Sequence, residues 1–413
     1  MFKTLLSGIT IAIAEKTNNQ HKENTMAGKK EMDALLSRFV ETGPAGCGCI
    51  VTKDGERIYE NYFGYEDVEA KKPIDADTIY RQYSMTKVII CTAAMKLFEE
   101  GKFLLNDPIY EYFPEWRNTN KVVYHPNGNF EIKPLDNPIL VKHVFNMAMG
   151  IGYGGNDETH RVMAEVRKGL RDKYGKYYTL RQDIEAMSAV PVAFEPGTHW
   201  LYGFGHELVA GLIEVCSGKK VSEYLQENIF DPLGMKSTAY RLRGDMADHL
   251  VVPYHRNEDG TLTRAEAMME ENIQPDAVYE AGGAGIISTV PDYSKFVSTL
   301  ANRGIMPNGE QLISRQTQDL MRDNMLNDTQ LGEFRNFYLA GYGYGLGVRT
   351  LMGRAIAHSN GTPGAYGWTG ALGTYTEISP EENFSITYMH QAVPNMEEYH
   401  HLRVRAVAYS MIK

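Results

Sequence analysis

The stretch that decides the fold runs from residue 80 to residue 101 and reads YRQYSMTKVIICTAAMKLFEEG. From Met85 onward its apolar side chains recur every three or four residues, which predicts a helix that Gly101 ends. A serine at position 84 would ordinarily cap such a helix. Three residues after a cap, Glu or Gln is usual, but Ser84 is followed there by Lys87, a cation at the positive end of the helix dipole. The broken capping rule favours a functional interpretation. Residues three apart also share one helical face, so the Lys87 amine and the Ser84 hydroxyl can meet there.

The S-x-x-K pattern by itself is weak evidence, because the chain contains it three times. The two other matches are Ser217/Lys220 and Ser410/Lys413. Ser217 precedes a glycine at the predicted end of a helix, and Ser410 lies in the last turn of the chain. Only Ser84 opens a helix, so it is the candidate nucleophile. The surrounding sequence must decide between a nucleophile and a simple helix cap.

Composition bounds the class of protein. The chain has 413 residues, of which 43% are hydrophobic, enough for two domains or one large one. With 42 Lys and Arg against 52 Asp and Glu, the formal net charge is −10. This charge argues against nucleic acid or an anionic membrane as the main partner. No apolar run reaches the roughly 18 residues of a membrane-spanning helix. We expect a small-molecule ester or amide substrate, and the oligomeric state stays open.

The N-terminal segment, residues 1–28, predicts either a disordered leader or a targeting segment. Residues 1–14 have a minimal signal-peptide outline, with one lysine, about ten mostly apolar residues and an Ala-Ile-Ala end. The polar residues that follow are typical of disorder. The four cysteines, at positions 47, 49, 91 and 216, predict no disulfide framework and favour a reducing compartment. We expect a cytoplasmic protein, exported only if residues 1–14 act as a signal peptide.

Strand signals cluster at the two ends of the chain. Residues 47–64 form two strand-like runs around Asp54-Gly55, a strong hairpin signal. We expect Cys47 and Cys49, in the first of these strands, to point to opposite faces. Near the C-terminus, GYGYGLGVRTL, GALGTYTEIS and NFSITYMH read as further strands before a final helix. If the end strands pair, the fold is α+β, with one antiparallel β-sheet flanked by helices.

Between these ends, residues 107–278 read as a mostly helical inserted domain, rich in loops. The remaining parts, 29–106 and 279–413, would form an α/β domain around the central sheet. We expect the helical domain to supply one wall of a cleft. Its polar run at 157–177 shows no apolar face in the sequence and is expected to act as a flap.

Other motifs that carry chemistry lack their structural context. GIGYGG, at 150–155, matches a dinucleotide-binding pattern but follows a predicted helix instead of a strand. His206-Glu207 lacks the second histidine of a zinc-protease motif, and His400-His401 reads as a solvated pair. No G-x-S-x-G occurs, which excludes an α/β-hydrolase nucleophile elbow. We expect no cofactor and no metal.

Several longer blocks resemble the serine hydrolases related to class C β-lactamases, a penicillin-binding-protein-like family. This family also holds D-alanyl carboxypeptidases and the family VIII carboxylesterases, whose motif pattern is the nearest. The blocks lie at 80–116, 144–154, 194–238, 281–304, 342–347 and 367–374. The resemblance covers roughly residues 30–410 and implies the β-lactamase/transpeptidase-like fold.

The resemblance also implies roles for single residues. It implies an acyl-enzyme on Ser84, with Lys87 as the base and Tyr202 as the proton shuttle to the leaving group. The third family motif matches Trp368-Thr369-Gly370. The backbone N–H groups of Ala371 and Ser84 would form the oxyanion hole.

Two positions depart from the pattern of the lactamases and peptidases. Those enzymes have Tyr-x-Asn where this chain has Phe204, and the missing amide would have touched Lys87 and a substrate amide. They also carry Lys or His where this chain has Trp368, a residue that family VIII esterases often show. Both changes remove polar contacts to an amide substrate that bears a carboxylate.

We therefore expect a carboxylesterase for small, neutral, rather apolar acyl esters, with acyl transfer to an alcohol as a variant. The first alternative is a β-lactamase or D-alanyl carboxypeptidase. The second is a non-catalytic binding protein on the same scaffold.

Overall fold

The computed structural model describes residues 28–337 and 339–412. The predicted signal-peptide outline at 1–14, and all but the last residue of the predicted leader, lie outside the described residues. Lys413, of the third S-x-x-K match, lies outside them too. Within the described part of the chain, no helix is long and apolar enough to cross a membrane.

The fold combines fifteen strands with thirteen helices in the described residues. The strands are β1 (Gly46–Lys53), β2 (Glu56–Asp67), β3 (Lys72–Pro73), β4 (Ile79–Arg81), β5 (Asn120–Tyr124), β6 (Phe130–Pro134), β7 (Tyr254–Arg256), β8 (Leu262–Arg264), β9 (Ile287–Thr289), β10 (Tyr342–Tyr344), β11 (Arg349–Leu351), β12 (Tyr366–Thr369), β13 (Tyr375–Ser379), β14 (Phe384–His390) and β15 (Ala392–Val393).

The helices are α1 (28–42), α2 (Thr86–Glu99), α3 (Val141–Phe145), α4 (Glu158–Tyr174), α5 (Leu180–Met187), α6 (Gly205–Ser217), α7 (Val221–Leu225), α8 (Asp231–Leu233), α9 (Val290–Ala301), α10 (Arg315–Arg322), α11 (Asp328–Phe337), α12 (Arg354–Ala357) and α13 (Glu397–Ser410). Short 3-10 turns lie at Tyr83–Met85, Ile109–Glu111, Pro114–Asn118, Met246–His249 and Glu270–Ile273, and a π-helical turn at Gln226–Phe230 joins α7 to α8.

An eight-stranded antiparallel sheet forms the centre of the molecule, in the order β10-β11-β12-β13-β14-β1-β2-β3. Strands from opposite ends of the chain meet in it, because β1 pairs with β14 and places Cys47 opposite His390. Helices cover both faces, which is why nearly every residue of β1 is buried. Helices α1 and α13 pack on one face, and α9 packs on the other. The predicted α+β fold is confirmed.

Helix α2 lies in the interior, where it packs against α6 and approaches β12. Eleven of its fourteen residues are buried, and these include polar residues as well as the apolar run from Val88 to Leu97. A helix that is apolar on nearly every side needs such an enclosed position. The N-terminal end of α2, with the turn before it, contacts β12 of the central sheet. Ser84 and Lys87 lie at this junction.

Several local expectations are wrong. Cys47 and Cys49 lie on the same face of β1, buried with Val51 against α1 and α13, because residues two apart in a strand share a face. The stretch GYGYGLGVRTL is not one strand but the hairpin β10–β11, with its turn at 345–348. His400 and His401 are buried beneath the sheet, not solvated.

The region 107–278 also differs from its expected form. It contains two hairpins, β5–β6 and β7–β8, that the helical interpretation missed. Helix α4, within the run at 157–177, buries Met163 and Leu170 and packs on α5, so the expectation that this run has no apolar face is wrong. The division into domains at 29–106 with 279–413 and at 107–278 stays a prediction.

Candidate active site

A strained turn presents Ser84 at the start of α2. Tyr83, immediately before it, has a φ of 43°, a left-handed conformation that is unusual for a bulky residue. The Tyr83 ring is buried, and its hydroxyl donates a hydrogen bond of 3.2 Å to the Met268 carbonyl, which helps to hold this turn. Ser84 is only partly buried, in a run whose other residues are all buried. It does not cap α2, because Met85 occupies the cap position and makes no side-chain capping bond.

The three residues expected to carry catalysis meet at the Ser84 hydroxyl. Lys87 Nζ donates a hydrogen bond of 3.0 Å to Ser84 Oγ, and the Tyr202 hydroxyl donates one of 2.8 Å to the same atom. Lys87 is fully buried, and its Nζ lies 4.9 Å from the centre of the Tyr202 ring. Trp368 Nε1 donates a hydrogen bond of 3.0 Å to the Tyr202 oxygen. Ser84, Lys87, Tyr202 and Trp368 therefore form one connected network of hydrogen bonds.

Two glycine-containing segments hold Tyr202 in place. The stretch 150–155, whose glycines match a dinucleotide-binding pattern, lies beside Tyr202 and forms a bridge between Gly152 and Gly203. A side chain on Gly203 would come within 1.9 Å of the Ile151 carbonyl oxygen, so the two backbones approach too closely for any other residue. Tyr153 donates its backbone N–H to the Tyr202 carbonyl at 3.2 Å. The glycines thus serve backbone packing at the site.

The segment after β12 packs on the turn that carries Ser84. Gly370 lies so close to Gln82 that a Cβ on it would come within 2.4 Å of the Gln82 carbonyl oxygen. Thr374 Oγ1 donates to this same carbonyl at 3.2 Å. Ala371 is exposed in the turn at 370–373. The predicted oxyanion residue is therefore carried by a turn that is fixed to the residue two before Ser84.

The comparisons with known proteins agree with this architecture. The beta-lactamase family model matches residues 32–409. This chain belongs to the beta-lactamase family. It is 24% identical over 362 residues to esterase EstB of Burkholderia gladioli, covering 83% of this chain and 85% of EstB.

It is also 27% identical over 312 residues to acyltransferase mokF of Monascus pilosus, covering 72% of this chain and 71% of mokF. The solved structure of EstCE1, described as a hydrolase with promiscuous acyltransferase activity, resembles this one with a TM-score of 0.75 at 20% identity. That match covers 95% of this chain and 99% of EstCE1. The expected family and the expected class of enzyme, a serine hydrolase, are confirmed.

The two departures from the lactamase pattern have different consequences within this family member. Phe204 offers its ring and no polar atom, and the edge of Tyr153 meets it with ring centres 4.6 Å apart. Trp368 stands where the lactamases carry a cation or donor for the substrate carboxylate, and its indole N–H donates to Tyr202. Thr369, the middle residue of this motif, donates its hydroxyl to Glu397 at 3.1 Å.

Aromatic rings surround the network. Trp368 meets Tyr344 edge-on at 5.1 Å, and Trp200 stacks on Tyr202 with ring centres 6.1 Å apart. Tyr153, which is 40% exposed, meets the Tyr202 ring edge-on at 5.3 Å. The surroundings of Ser84 are thus rich in aromatic carbon, of which the Tyr153 ring is exposed and the Trp368, Tyr344 and Trp200 rings are buried.

Charged groups lie behind the network, and sequence reasoning missed them. Lys87 Nζ also donates to the Gly283 carbonyl at 2.7 Å, and the Gly283 N–H donates to Glu207 Oε2 at 2.6 Å. Burial raises the pKa of Glu207 to about 7, although the positive charge of Lys87 opposes the rise. Arg167 stacks on the Phe204 ring at 4.2 Å and donates to Asp183 at 2.6 Å. In the sequence, Glu207 was noted only because His206-Glu207 matches the first part of a zinc-protease motif.

One group among the described residues has ligand atoms spaced for a metal, namely Glu66, Asp75 and His249. Glu66 already forms an ion pair of 2.7 Å with Lys72 and accepts a hydrogen bond of 2.6 Å from Thr78. Its charge is therefore balanced by the protein itself, and the group carries no argument for a metal centre.

Proposed function

We propose that the protein is a carboxylesterase that forms an acyl-enzyme on Ser84 and acts on small, neutral, apolar acyl esters. The observation that carries the proposal is the double contact at Ser84 Oγ, from Lys87 Nζ at 3.0 Å and from the Tyr202 hydroxyl at 2.8 Å. A serine hydroxyl is a weak nucleophile and needs a base within hydrogen-bond reach, and this hydroxyl has one.

In the first half-reaction, the neutral amine of Lys87 accepts the Ser84 proton while Oγ attacks the ester carbonyl carbon. The negative charge on the carbonyl oxygen is stabilised by the N–H groups of Ser84 and Ala371. Tyr202 gives its proton to the departing alkoxide and regains one from Lys87, so that an alcohol leaves and the acyl group stays on Ser84. The indole N–H of Trp368 donates to the Tyr202 oxygen and so favours its transient negative charge.

In the second half-reaction, water takes the place of the alcohol. Tyr202 passes its proton to Lys87 and accepts one from the water, whose oxygen attacks the acyl carbon. The bond from the acyl carbon to Ser84 Oγ then breaks, the acid leaves, and Lys87 returns a proton to Ser84. An alcohol acceptor would give acyl transfer by the same steps. This second candidate activity is supported by the similarity to mokF, an acyltransferase, and to EstCE1.

The surroundings support an apolar, uncharged substrate. Phe204 and Trp368 replace the amide and the cation that a substrate with a carboxylate would use. The guanidinium of Arg167, which lies on the Phe204 ring, is already paired with the fully buried Asp183. Its positive charge is therefore balanced before any substrate arrives.

We also propose a cytoplasmic location. Cys47, Cys49, Cys91 and Cys216 are all free thiols, and the first three are buried. Unpaired cysteines support a reducing compartment.

The test is hydrolysis of p-nitrophenyl acetate, butyrate and octanoate beside a chromogenic cephalosporin. It compares the wild type with Ser84→Ala and, as a matched control from the second S-x-x-K match, Ser217→Ala. We expect ester turnover that Ser84→Ala abolishes and Ser217→Ala leaves intact, with little cephalosporin cleavage. Dominant cephalosporin turnover would make the protein a β-lactamase. A Ser84 that no serine-directed reagent labels would favour the non-catalytic binding protein.

A further inference from the structure

We propose that Glu207 is a positioning residue of this reaction, whose buried carboxylate stabilises the positive charge that Lys87 acquires when it takes the Ser84 proton. This inference rests on the proposed function, because it requires Lys87 to act as the base. It adds Glu207 to the network of Ser84, Lys87, Tyr202 and Trp368.

A single peptide unit connects the two side chains. The Gly283 carbonyl accepts from Lys87 Nζ at 2.7 Å, and the Gly283 N–H donates to Glu207 Oε2 at 2.6 Å. A Cβ on Gly283 would lie 2.3 Å from the Tyr153 hydroxyl, 3.2 Å from Lys87 Nζ and 3.3 Å from Glu207 Oε2. Only glycine leaves room for amine, carboxylate and phenol to converge on this peptide.

Charge balance explains why Glu207 would act on Lys87. Glu207 is buried, and a buried carboxylate is costly unless a cation lies nearby. Arg167 is the other cation that faces it, but Arg167 already donates to Asp183 at 2.6 Å. Lys87 becomes the cation that balances Glu207 once it has taken the Ser84 proton. The Glu207 carboxylate therefore favours this proton transfer.

The absence of an amide at position 204 agrees with the role that we propose for Glu207. The lactamases and peptidases of the family would place an amide there in contact with the lysine, whereas Phe204 has no polar atom to offer. Glu207 lies on the same helix, α6, one turn further along, and is connected to Lys87 through Gly283. The polar support of Lys87 therefore comes from a neighbouring turn of α6.

The groups that set the charge of Glu207 come from every element packed around it. Burial raises the pKa of Glu207 to about 7; the charges of Lys87 and Arg167 and the Gly283 hydrogen bond oppose the rise, and Asp183 adds to it. Two buried phenols also face it, those of Tyr240 and Tyr279. As the pH falls through about 7, Glu207 takes up a proton and ceases to balance Lys87.

The same helix provides a matched control. Glu214 lies on α6, and burial together with the nearby Glu280 raises its pKa to about 7 as well. The experiment compares Glu207→Gln with Glu214→Gln. An amide oxygen at 207 still accepts from the Gly283 N–H, so the first substitution removes the charge and keeps the hydrogen bond. Melting temperatures establish that both variants fold, and Glu207→Asp, which keeps the charge, serves as the rescue variant.

The readouts are kcat, KM and the pH profile of p-nitrophenyl ester hydrolysis, together with the rate at which a fluorophosphonate labels Ser84. In Glu207→Gln we expect the plateau of kcat to fall about tenfold, with KM nearly unchanged, because no carboxylate then stabilises the positive charge that Lys87 acquires. We also expect the part of the acid limb that falls near pH 7 to be missing, since an amide at position 207 takes up no proton there. Glu207→Asp should recover part of the plateau, and Glu214→Gln should match the wild type.

The inference is overturned if Glu207→Gln matches Glu214→Gln in plateau, acid limb and labelling rate while the wild type is active. It is overturned equally if Glu207→Asp loses as much as Glu207→Gln, because a shorter carboxylate would then be no better than an uncharged side chain. A wild type in which Ser84 is never labelled overturns the proposed function and this inference together. Labelling of Ser84 in the wild type thus distinguishes a failure of the proposed function from a failure of the role of Glu207 alone.

Discussion

Ser84–Lys87 and Ser217–Lys220 share one four-residue pattern and lie in opposite settings. The first pair lies where a 3-10 turn runs directly into α2, so its side chains occupy one helical turn and Lys87 Nζ reaches Ser84 Oγ at 3.0 Å. At the second pair, α6 ends at Ser217 and Gly218 turns the chain with a φ of 71°. Lys220 then precedes α7 and is exposed. The Ser217 hydroxyl donates back to the Ile213 carbonyl at 2.6 Å.

The difference shows two structural conditions under which the serine and the lysine of an S-x-x-K pattern meet in a protected contact. The backbone must stay helical through all four residues, because that brings the amine and the hydroxyl to one face. The amine must also be enclosed, as Lys87 is between α2, Tyr202 and Gly283, so that its contacts are not lost to water.

The largest effect is expected from removing the two amines. Lys87→Met should lower kcat/KM for p-nitrophenyl butyrate by at least about a thousandfold, because the base for Ser84 is lost while the side-chain volume is kept. Lys220→Met should leave the rate unchanged. Similar losses in both variants, or in neither, would mean that the structural contrast between the pairs has no catalytic meaning.

The next effect concerns the second donor to Ser84. Tyr202→Phe keeps the ring that stacks on Trp200 and removes the hydroxyl that donates to Ser84 Oγ at 2.8 Å. We expect kcat to fall about a hundredfold, within the range of a lost general acid–base group. Tyr177→Phe, at an exposed phenol in the segment after α4, is the control and should keep full activity. A fully active Tyr202→Phe would place the proton shuttle elsewhere.

A smaller effect is expected at Trp368. Trp368→Phe keeps an aromatic ring beside Tyr344 and removes the N–H that donates to Tyr202 at 3.0 Å. We expect a loss of about tenfold in kcat, because one hydrogen bond to the Tyr202 oxygen disappears. Adding this change to Tyr202→Phe should cost little more, since both act on one oxygen. Independent, multiplying losses would separate Trp368 from the shuttle.

The features that the sequence predicts depend on residues close together in the chain, whereas those it misses depend on contacts between distant segments. The strand signals at both ends of the chain predicted the antiparallel sheet, because alternating apolar residues are visible within each short segment. The structure brings Ser84, Lys87 and Tyr202 within hydrogen-bonding distance, while their catalytic roles stay predictions.

The missed features depend on contacts between distant parts of the chain. Glu207 acquires its setting from Gly283, 76 residues further on, and Lys87 meets that same glycine across 196 residues. No periodicity or spacing within one segment encodes such a meeting. The left-handed φ of Tyr83 escapes sequence reasoning for a related reason, because a bulky residue adopts it only where surrounding packing enforces it.

The smallest effect concerns Gly218, where α6 ends between Ser217 and Lys220. It is measured as a change in stability instead of a change in rate. Nothing lies within 4 Å of a Cβ on Gly218, so Gly218→Ala adds backbone strain alone and should lower the free energy of unfolding by about 1 kcal/mol. Gly169→Ala is the matched control, because Gly169 lies exposed within α4 with equal space around it. It should raise the free energy of unfolding by about 0.5–1 kcal/mol, since alanine favours helix. Urea unfolding of the two variants checks the opposite signs, and esterase activity should be unchanged in both. If Gly218→Ala were as stable as the wild type, α6 would not need this glycine to end, and the two S-x-x-K pairs would differ only in burial.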